Sequence, residues 1–236
     1  LTLEMKFKDR RHIVSTRQAE MDSFYQLTFR DAFRAGEAMA DAFVDDPVWR
    51  KLFEGESDLS RKYQAFFEVP VRLCLRYGKV YATSANLEGM IACVPGTFSD
   101  ITFWRFLRSG AFGCGMRMGK TAGKRMVDLK VLSVDRAQNS AGRPYMYLLL
   151  LGVRVAHQGK GLGGSLLRAL MADCDAHNLP IFLETETEEN VKMYEHFGFR
   201  LIKKITLDKL GLPMWEMVRE AQDSGSEGTR SLNSKK

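Results

Sequence analysis

The sequence predicts an α/β (α+β) fold, in which helices flank a central sheet. Three observations in the second half of the chain carry this prediction. Residues 145–152 form a dense apolar run, which is typical of a strand buried on both faces. A glycine-rich turn then leads into residues 161–177, where leucines recur at helical spacing. We then expect a short buried strand at 180–183, a helix at 188–197 and two closing strands at 199–205 and 214–219.

The first half of the chain contains shorter patterns. Ser57 is positioned to cap a helix. Pro70 is expected to interrupt that helix because proline lacks an N–H donor, with the alternative that the apolar run at 69–75 continues it beyond a kink. Residues 98–138 show only an aromatic helix face near 103–107 and a helix running from Met126 towards Gln138. We also expect a strand at 25–29, a helix at 35–43, a turn at 45–47 and a two-stranded hairpin at 79–83 and 89–94.

The length of the chain and the composition of its ends predict a single domain with a segment on either side of it. The 236 residues are enough for one large domain. We expect an N-terminal extension at 1–23, one domain at 24–220 and a disordered tail at 221–236, which is rich in serine, glycine and charge.

Composition and charge restrict the class of protein. The formal net charge of +6 suits either nucleic acid or a small polyanionic ligand, but no long basic run supports nucleic acid. The N-terminal residues lack the apolar core of a signal peptide, and no stretch is long and apolar enough to span a membrane. The cysteines are scattered without metal-ligand spacing, which predicts buried thiols, no metal site and a cytoplasmic location; they are Cys74, Cys93, Cys114 and Cys174.

The turn between the strand at 145–152 and the following helix has the chemistry of an anion site. Its pattern is Gln158-x-x-Gly161-x-Gly163. The first turn of a helix leaves N–H groups without partners, and the helix dipole adds positive charge there. Taken alone, a plain tight turn explains the glycines about as well, and the spacing matches neither a dinucleotide fingerprint nor a P-loop.

A second motif follows at the next strand and helix. The chain reads Leu183-Glu184-Thr185 and then N-x-x-x-Y-x-x-x-G-F from Asn190 to Phe199. Together, the two motifs resemble the GNAT acetyltransferases over about 145–218, and the stretches around Gln158 and Glu184 are similar to puromycin N-acetyltransferase and its relatives. Asp45-Asp46-Pro47 with Trp49 is a weaker echo of the same family. The first 140 residues carry no equally specific match, so that substrate is not carried over.

The resemblance implies a fold and a cosubstrate. The fold is that of the acyl-CoA N-acyltransferases: a mixed, mostly antiparallel central sheet flanked by helices, with splayed strands at the cofactor cleft. The cosubstrate is acetyl-CoA, and no metal is implied. The residues implied to bind it are Leu150, Val153, Arg154, Val155, Gln158, Gly159, Lys160, Gly161, Leu162, Gly163, Gly164, Ser165, Asn190 and Tyr194.

Two residues are predicted to act in catalysis. The resemblance places Tyr194 near the thioester sulfur as general acid, although without the motif a core aromatic is the simpler interpretation. Glu184 ends a buried strand at the implied cleft and is the candidate base or amine-binding group. It also belongs to an acidic run through Glu189, and such runs usually form a solvated face.

The expected function is transfer of an acetyl group from acetyl-CoA to a primary amine of a small molecule, by direct attack in a ternary complex. Two alternatives keep the fold, namely a protein or peptide N-acetyltransferase and a CoA-binding regulator without catalysis. We expect neither nucleic acid nor membrane as a partner, and a monomer or a homodimer.

Overall fold

The computed structural model describes residues 20–119, 124, 130–208 and 210–222, so most of the predicted extension and tail lies outside it. Within the described residues, seven strands form one sheet in the order β1-β2-β3-β4-β5-β7-β6. Neighbouring strands are antiparallel except β4 and β5, which are parallel. The strands are β1 (Tyr25–Gln26), β2 (Lys79–Ala82), β3 (Gly89–Pro95), β4 (Met146–Val153), β5 (Ile181–Thr185), β6 (Arg200–Leu207) and β7 (Leu212–Arg219). The prediction of a mixed, mostly antiparallel sheet flanked by helices is confirmed.

Helices cover both faces of this sheet. They are α1 (Ala32–Ala42), α2 (Pro47–Leu52), α3 (Leu59–Tyr77), α4 (Phe103–Arg108), α5 (Phe112–Met118), α6 (Lys130–Ser140), α7 (Leu162–Ala176) and α8 (Glu188–His196). No helix within the described part of the chain is both long and apolar enough to cross a membrane.

The hydrophobic core consists of two layers, one on each face of the sheet. Because side chains alternate along a strand, Ala92 faces one layer while Ile91 and Cys93 face the other. Helices α1, α2, α3, α5 and α6 contribute to the first layer, whereas α7 and α8 contribute to the second. All four cysteines are buried and unpaired, as their apolar surroundings predict.

Two predictions about α3 are wrong. The helix runs without a break through Pro70, although proline cannot supply an N–H to Phe66 one turn earlier. Burial of the helix on the first layer, through side chains such as Phe67 and Val71, outweighs that local loss. The residue before the helix is Asp58 in a left-handed conformation with no side-chain cap, rather than Ser57.

The segments at 45–47 and 98–138 also differ from expectation. Pro47 opens α2 instead of completing a turn, and the Asp46 carboxylate caps that helix by accepting hydrogen bonds from the N–H groups of Val48 and Trp49. An aromatic helix forms at α4, but Phe103 and Trp104 are 67% and 63% exposed. Met126, the predicted start of the next helix, lies outside the described residues. Helix α6 covers the later part of that prediction and ends at Ser140.

Candidate active site

A cleft of about 1380 Å³ opens where β4 and β5 separate. The two parallel strands pair only at Met146 with Ile181 and at Tyr147 with Phe182. A bulge at Leu149 in β4 shifts the register against β3 and increases the local twist. Beyond Tyr147, the edge of β4 that faces β5 has no strand partner. The splayed strands that the family resemblance implies are therefore present.

The glycine-rich turn lies at one end of this cleft. Gly159 and Gly161 have φ angles of +74° and +78°, a region that side chains with a Cβ atom avoid. Gly161 is the N-cap of α7, and no side chain caps this end. The N–H groups of the first turn therefore have no intrahelical acceptor and project from the positive end of the helix dipole.

The structure gathers the predicted cosubstrate residues around that turn. Eight of them line the cleft: Leu150, Val153, Val155, Gln158, Gly163, Gly164, Asn190 and Tyr194. The other six lie in the same turn but not on the cleft wall: Arg154, Gly159, Lys160, Gly161, Leu162 and Ser165. Their roles stay predictions.

Several polar groups of this turn are already engaged within the protein. The main-chain N–H of Arg154 donates to the carbonyl of Glu88 at 2.8 Å, and that of Val155 donates to the carboxylate of Asp41 at 3.1 Å. The side chains of Gln158 and Lys160 donate to the carbonyls of Val153 and Ala156. Main-chain donation from Val155 to a ligand would require Asp41 to move.

Tyr194 and Asn190 both reach the cleft from α8. Thr187 caps this helix by accepting a hydrogen bond from the N–H of Asn190 at 3.2 Å. The Tyr194 ring is 8% exposed and packs edge-on against Phe199, with ring centroids 5.4 Å apart. Burial raises the pKa of the Tyr194 hydroxyl, and the negative charge of Glu186 raises it further. Tyr194 thus belongs to the core and to the cleft wall at once.

Glu184 is more constrained than the sequence suggested. Its carboxylate forms a short ion pair with Arg136 of α6, and the Tyr147 hydroxyl donates to its other oxygen at 2.5 Å. The side chains of Glu184 and Arg136 are only 5% and 6% exposed, and the guanidinium lies 4.0 Å from the centre of the Tyr147 ring. Both oxygens of Glu184 therefore accept hydrogen bonds inside the protein, which limits its availability as a base.

A second pair of carboxyls, Asp46 and Glu186, lines the same cleft. The two side chains are within hydrogen-bonding reach of each other. Burial raises the pKa of Glu186 to about 8, with the charge of Asp46 as the next cause. Burial also raises the pKa of Asp46, to about 6, against the lowering effect of the N–H groups of Val48 and Trp49.

The sequence does not predict this pair. Glu186 belongs to an acidic run of the kind that usually forms a solvated face, and Asp46 lies in a predicted turn. One available signal was the two-residue period of a strand, which places Glu186 on the same side as Glu184. Nothing in the sequence brings Asp46 next to Glu186, because that contact depends on how α2 meets the end of β5.

Comparison with known proteins agrees with this geometry. The model of the acetyltransferase (GNAT) family matches residues 119–199. An uncharacterized N-acetyltransferase of Schizosaccharomyces pombe is 29% identical over 201 residues, which cover 82% of this chain and 81% of the relative.

Solved structures show the same fold at low sequence identity. A putative arylalkylamine N-acetyltransferase of the yellow fever mosquito superposes with a TM-score of 0.61 and 14% identity, over 84% of this chain and 86% of that one. A Corynebacterium glutamicum protein described as histone acetyltransferase HPA2 and related acetyltransferase gives a TM-score of 0.56 and 18% identity, over 84% and 96% of the two chains. Residues 119–199 thus match the acetyltransferase (GNAT) family, and the solved structures share the fold of this chain, as the splayed cleft indicates.

Proposed function

We propose that this protein is an N-acetyltransferase that moves the acetyl group of acetyl-CoA to a primary amine of a small molecule, by direct attack in a ternary complex. The observation that carries the proposal is one continuous cleft. It joins the uncapped start of α7 to a wall of carboxyl and aromatic side chains.

The α7 half of the cleft suits the cosubstrate. Uncapped N–H groups at a helix N-terminus bind phosphate groups, and Gly163 and Gly164 present main chain rather than side chain to the cleft. The unpaired edge of β4 offers main-chain donors and acceptors to an extended amide-bearing arm. A backbone N–H aimed at the thioester carbonyl would stabilise the negative charge that develops on its oxygen.

The opposite half suits an amine with an apolar body. Trp49 stacks at a tilt on Phe66, with ring centroids 4.7 Å apart, and both line the cleft with Phe106 of α4. Asp46 and Glu186 add negative charge to the same wall, which attracts an ammonium group. The mosquito relative is named a putative arylalkylamine N-acetyltransferase, and such an amine would fit these walls.

The proposal is tested in two steps. Acetyl-CoA should raise the thermal unfolding temperature, because a ligand at 100 times its Kd stabilises the folded state by about 2.7 kcal/mol. Thiol release should then be followed with arylalkylamines, aminonucleosides, polyamines and a lysine peptide as acceptors. Stabilisation by duplex DNA but not by acetyl-CoA would contradict the proposal, and turnover with the peptide alone would move the acceptor to the protein class.

A further inference from the structure

We propose that Glu186 is the catalytic base of this acetyltransferase and that Asp46 is the residue that positions it. Glu186 would bind the incoming ammonium group and take its proton, which frees the nitrogen lone pair for attack. This inference rests on the proposed function and assigns a role that neither the family motifs nor the sequence pattern gave to these residues.

The first argument is where the two carboxyls lie. Glu186 directly follows β5, and Asp46 directly precedes α2, so the pair bridges the two halves of the molecule at the cleft wall. Within the described residues, neither carboxyl takes part in an ion pair with a lysine, arginine or histidine. A cation from solution is therefore the charge partner that this wall lacks.

The second argument is the position of Glu186 relative to Tyr194. Both side chains line the same cleft, and the negative charge of Glu186 raises the pKa of the Tyr194 hydroxyl. Tyr194 is the predicted proton donor to the departing sulfur. A base and an acid on one wall can serve the amine and the thiolate of a single acyl transfer.

The third argument is the contrast with Glu184. Its two oxygens are held by Arg136 and Tyr147, so accepting a proton would break a buried ion pair. Within the described residues Glu186 has no ion pair to break, although its carboxylate accepts a hydrogen bond from Thr185, and the charge that acts on it is that of Asp46.

The groups that face this pair explain how it titrates. Tyr194 of α8 lies near Glu186, while Tyr63 of α3 and Arg50 of α2 lie on the side of Asp46. Burial raises both pKa values, and the charge of Asp46 raises that of Glu186 further, so the pKa of Glu186 is about 8 and that of Asp46 about 6. Near neutral pH the pair therefore carries one proton and one negative charge, and Glu186 acts as a base in the fraction of molecules in which its carboxyl is ionised, a fraction that grows as pH rises towards 8. That charge binds an ammonium group, and a base that titrates near the working pH is effective.

The proton balance of the reaction is then complete. The ammonium group gives one proton to the carboxylate of Glu186 and becomes a neutral amine. Its nitrogen attacks the thioester carbonyl carbon, so a C–N bond forms, the C–S bond breaks and the electron pair leaves on sulfur. In the predicted scheme Tyr194 donates its hydroxyl proton to the thiolate, and the second proton of the nitrogen passes to the Tyr194 oxygen, so Tyr194 ends the cycle unchanged. Glu186 returns its proton to water before the next cycle.

The test is the pH dependence of kcat/KM with phenylethylamine as acceptor, or with the best amine of the panel above. Wild type should show a rising limb near neutral pH. Glu186→Gln should lower kcat/KM by about 10²- to 10⁴-fold and remove that limb, which is the usual contribution of a positioned base. Glu188→Gln is the matched control, because Glu188 lies two positions later with its side chain 68% exposed, and it should behave like wild type.

Asp46→Asn separates positioning from folding. Asparagine caps a helix as well as aspartate does, so α2 should keep its cap. Loss of the neighbouring charge should lower the pKa of Glu186 and move the limb to lower pH. Carboxyl ¹³C NMR of Glu186 should report the same displacement in the absence of substrate.

The outcomes are distinguishable. A wild type that binds acetyl-CoA but acetylates no amine overturns the proposed function itself. An active wild type together with a Glu186→Gln variant of unchanged kcat/KM and unchanged limb overturns only the role of Glu186. If Glu186→Gln does not fold, an unmoved limb in Asp46→Asn overturns the proposal and a displaced limb supports it.

Discussion

At the scale of single residues, Tyr194 provides the most direct test of the predicted chemistry. Tyr194→Phe should lower kcat while leaving the KM for acetyl-CoA nearly unchanged. We expect a loss near the low end of the 10²- to 10⁴-fold range for a positioned acid, about 10²-fold, because burial raises the pKa of this hydroxyl and weakens it as a donor. Steady-state kinetics of the two proteins measure both constants.

Phenylalanine keeps the ring that packs edge-on against Phe199, so the core should be preserved. Unchanged free energy of unfolding confirms this control. An unchanged kcat in a folded Tyr194→Phe variant would remove the hydroxyl from the mechanism and leave Tyr194 as a core aromatic.

The ion pair between Glu184 and Arg136 leads to a second prediction at this scale. Glu184→Gln leaves a buried guanidinium without its counter-charge, which should lower the free energy of unfolding by about 3–5 kcal/mol. The double variant Glu184→Gln, Arg136→Met should recover part of that loss, because no unpaired charge remains. Urea denaturation measures both changes.

A Glu184→Gln variant of wild-type stability but without turnover would give the opposite answer. It would return Glu184 to the role of base, as the sequence first suggested. Among the residues that the structure describes, the buried Arg136 Nε atom has no hydrogen-bond partner, so Glu184 is the counter-charge on which this guanidinium depends.

Residue-level prediction was most specific where a motif fixed both residue type and position. It placed Asn190, Tyr194 and Gln158 at one cleft, which all three line, and their roles stay predictions. It missed Glu186, because an acidic run looks the same in sequence whether it is solvated or buried. The distinction depends on Asp46, which arrives from a distant part of the chain.

At the scale of elements, the structure follows the sequence where burial and periodicity agree. The hairpin of β2 and β3, the buried β4 and the helix α7 all lie close to their predicted bounds. Pro70 shows the limit, because tertiary burial of α3 overrides a local rule that is reliable in isolated helices. The exposed side chains of Phe103 and Trp104 show a second limit of prediction from sequence, because helical spacing of aromatic residues does not reveal whether another part of the protein packs on them.

The turn before α7 allows a test of one backbone position. Gly161→Ala should destabilise the protein by about 1–2 kcal/mol, the cost of a left-handed conformation for a residue with a Cβ atom. It should also weaken acetyl-CoA binding, because relaxation of that strain would reorient the first N–H groups of α7. Unfolding experiments with and without acetyl-CoA measure the two effects.

Gly55→Ala is the matched control for this experiment. Gly55 has a φ angle of +80° and open space around it, as Gly161 does, but it lies between α2 and α3 rather than in the turn before α7. Its variant should lose similar stability and keep the wild-type affinity. Equal losses of affinity in the two variants would show that the turn before α7 has no special part in binding.

At the scale of the whole molecule, the cleft is a product of both halves of the chain. The C-terminal half supplies the splayed strands and the uncapped helix, which its motifs predict. The N-terminal half supplies Asp46, Trp49 and Phe66, for which the sequence offers only the weaker family echo at Asp45-Asp46-Pro47 with Trp49. The fold was therefore predictable from one half of the sequence, whereas the wall that includes Asp46 and Glu186 depends on how the sheet brings the halves together.

Overall stability should also respond to pH in a way that traces to one buried carboxyl, Glu216 of β7. Its side chain is only 2% exposed, and burial raises its pKa to about 8, with its hydrogen bond to Asp135 as the next cause. The Oε1 atom has no hydrogen-bond donor in the protein. Protonation of Glu216 removes its buried negative charge, and the resulting carboxylic acid can donate a hydrogen bond to the carboxylate of Asp135.

The sign of the effect follows from linkage. Between about pH 4.5 and pH 8 the folded protein keeps a proton on Glu216 that the unfolded chain releases. The free energy of unfolding should therefore fall as pH rises through this window, by up to about 1.4 kcal/mol per pH unit from this group. Carboxyls with a lowered pKa, such as Glu68 and Asp31, act in the opposite sense and at lower pH.

Glu216→Gln should flatten this decline, because glutamine still donates to Asp135 but does not ionise. Urea denaturation at a series of pH values should show the variant gaining on wild type as pH rises from about 5 to 8. Glu220→Gln is the control. Glu220 lies just beyond the end of β7, and its side chain is 45% exposed and paired with Arg143. Parallel curves for Glu216→Gln and wild type would mean that Glu216 is ionised in the folded protein and that Lys203 compensates its charge. A decline in wild type alone would instead show that the sheet keeps Glu216 neutral beside Glu184 and Asp135, two carboxylates whose cationic partners, Arg136 and Lys203, are already engaged.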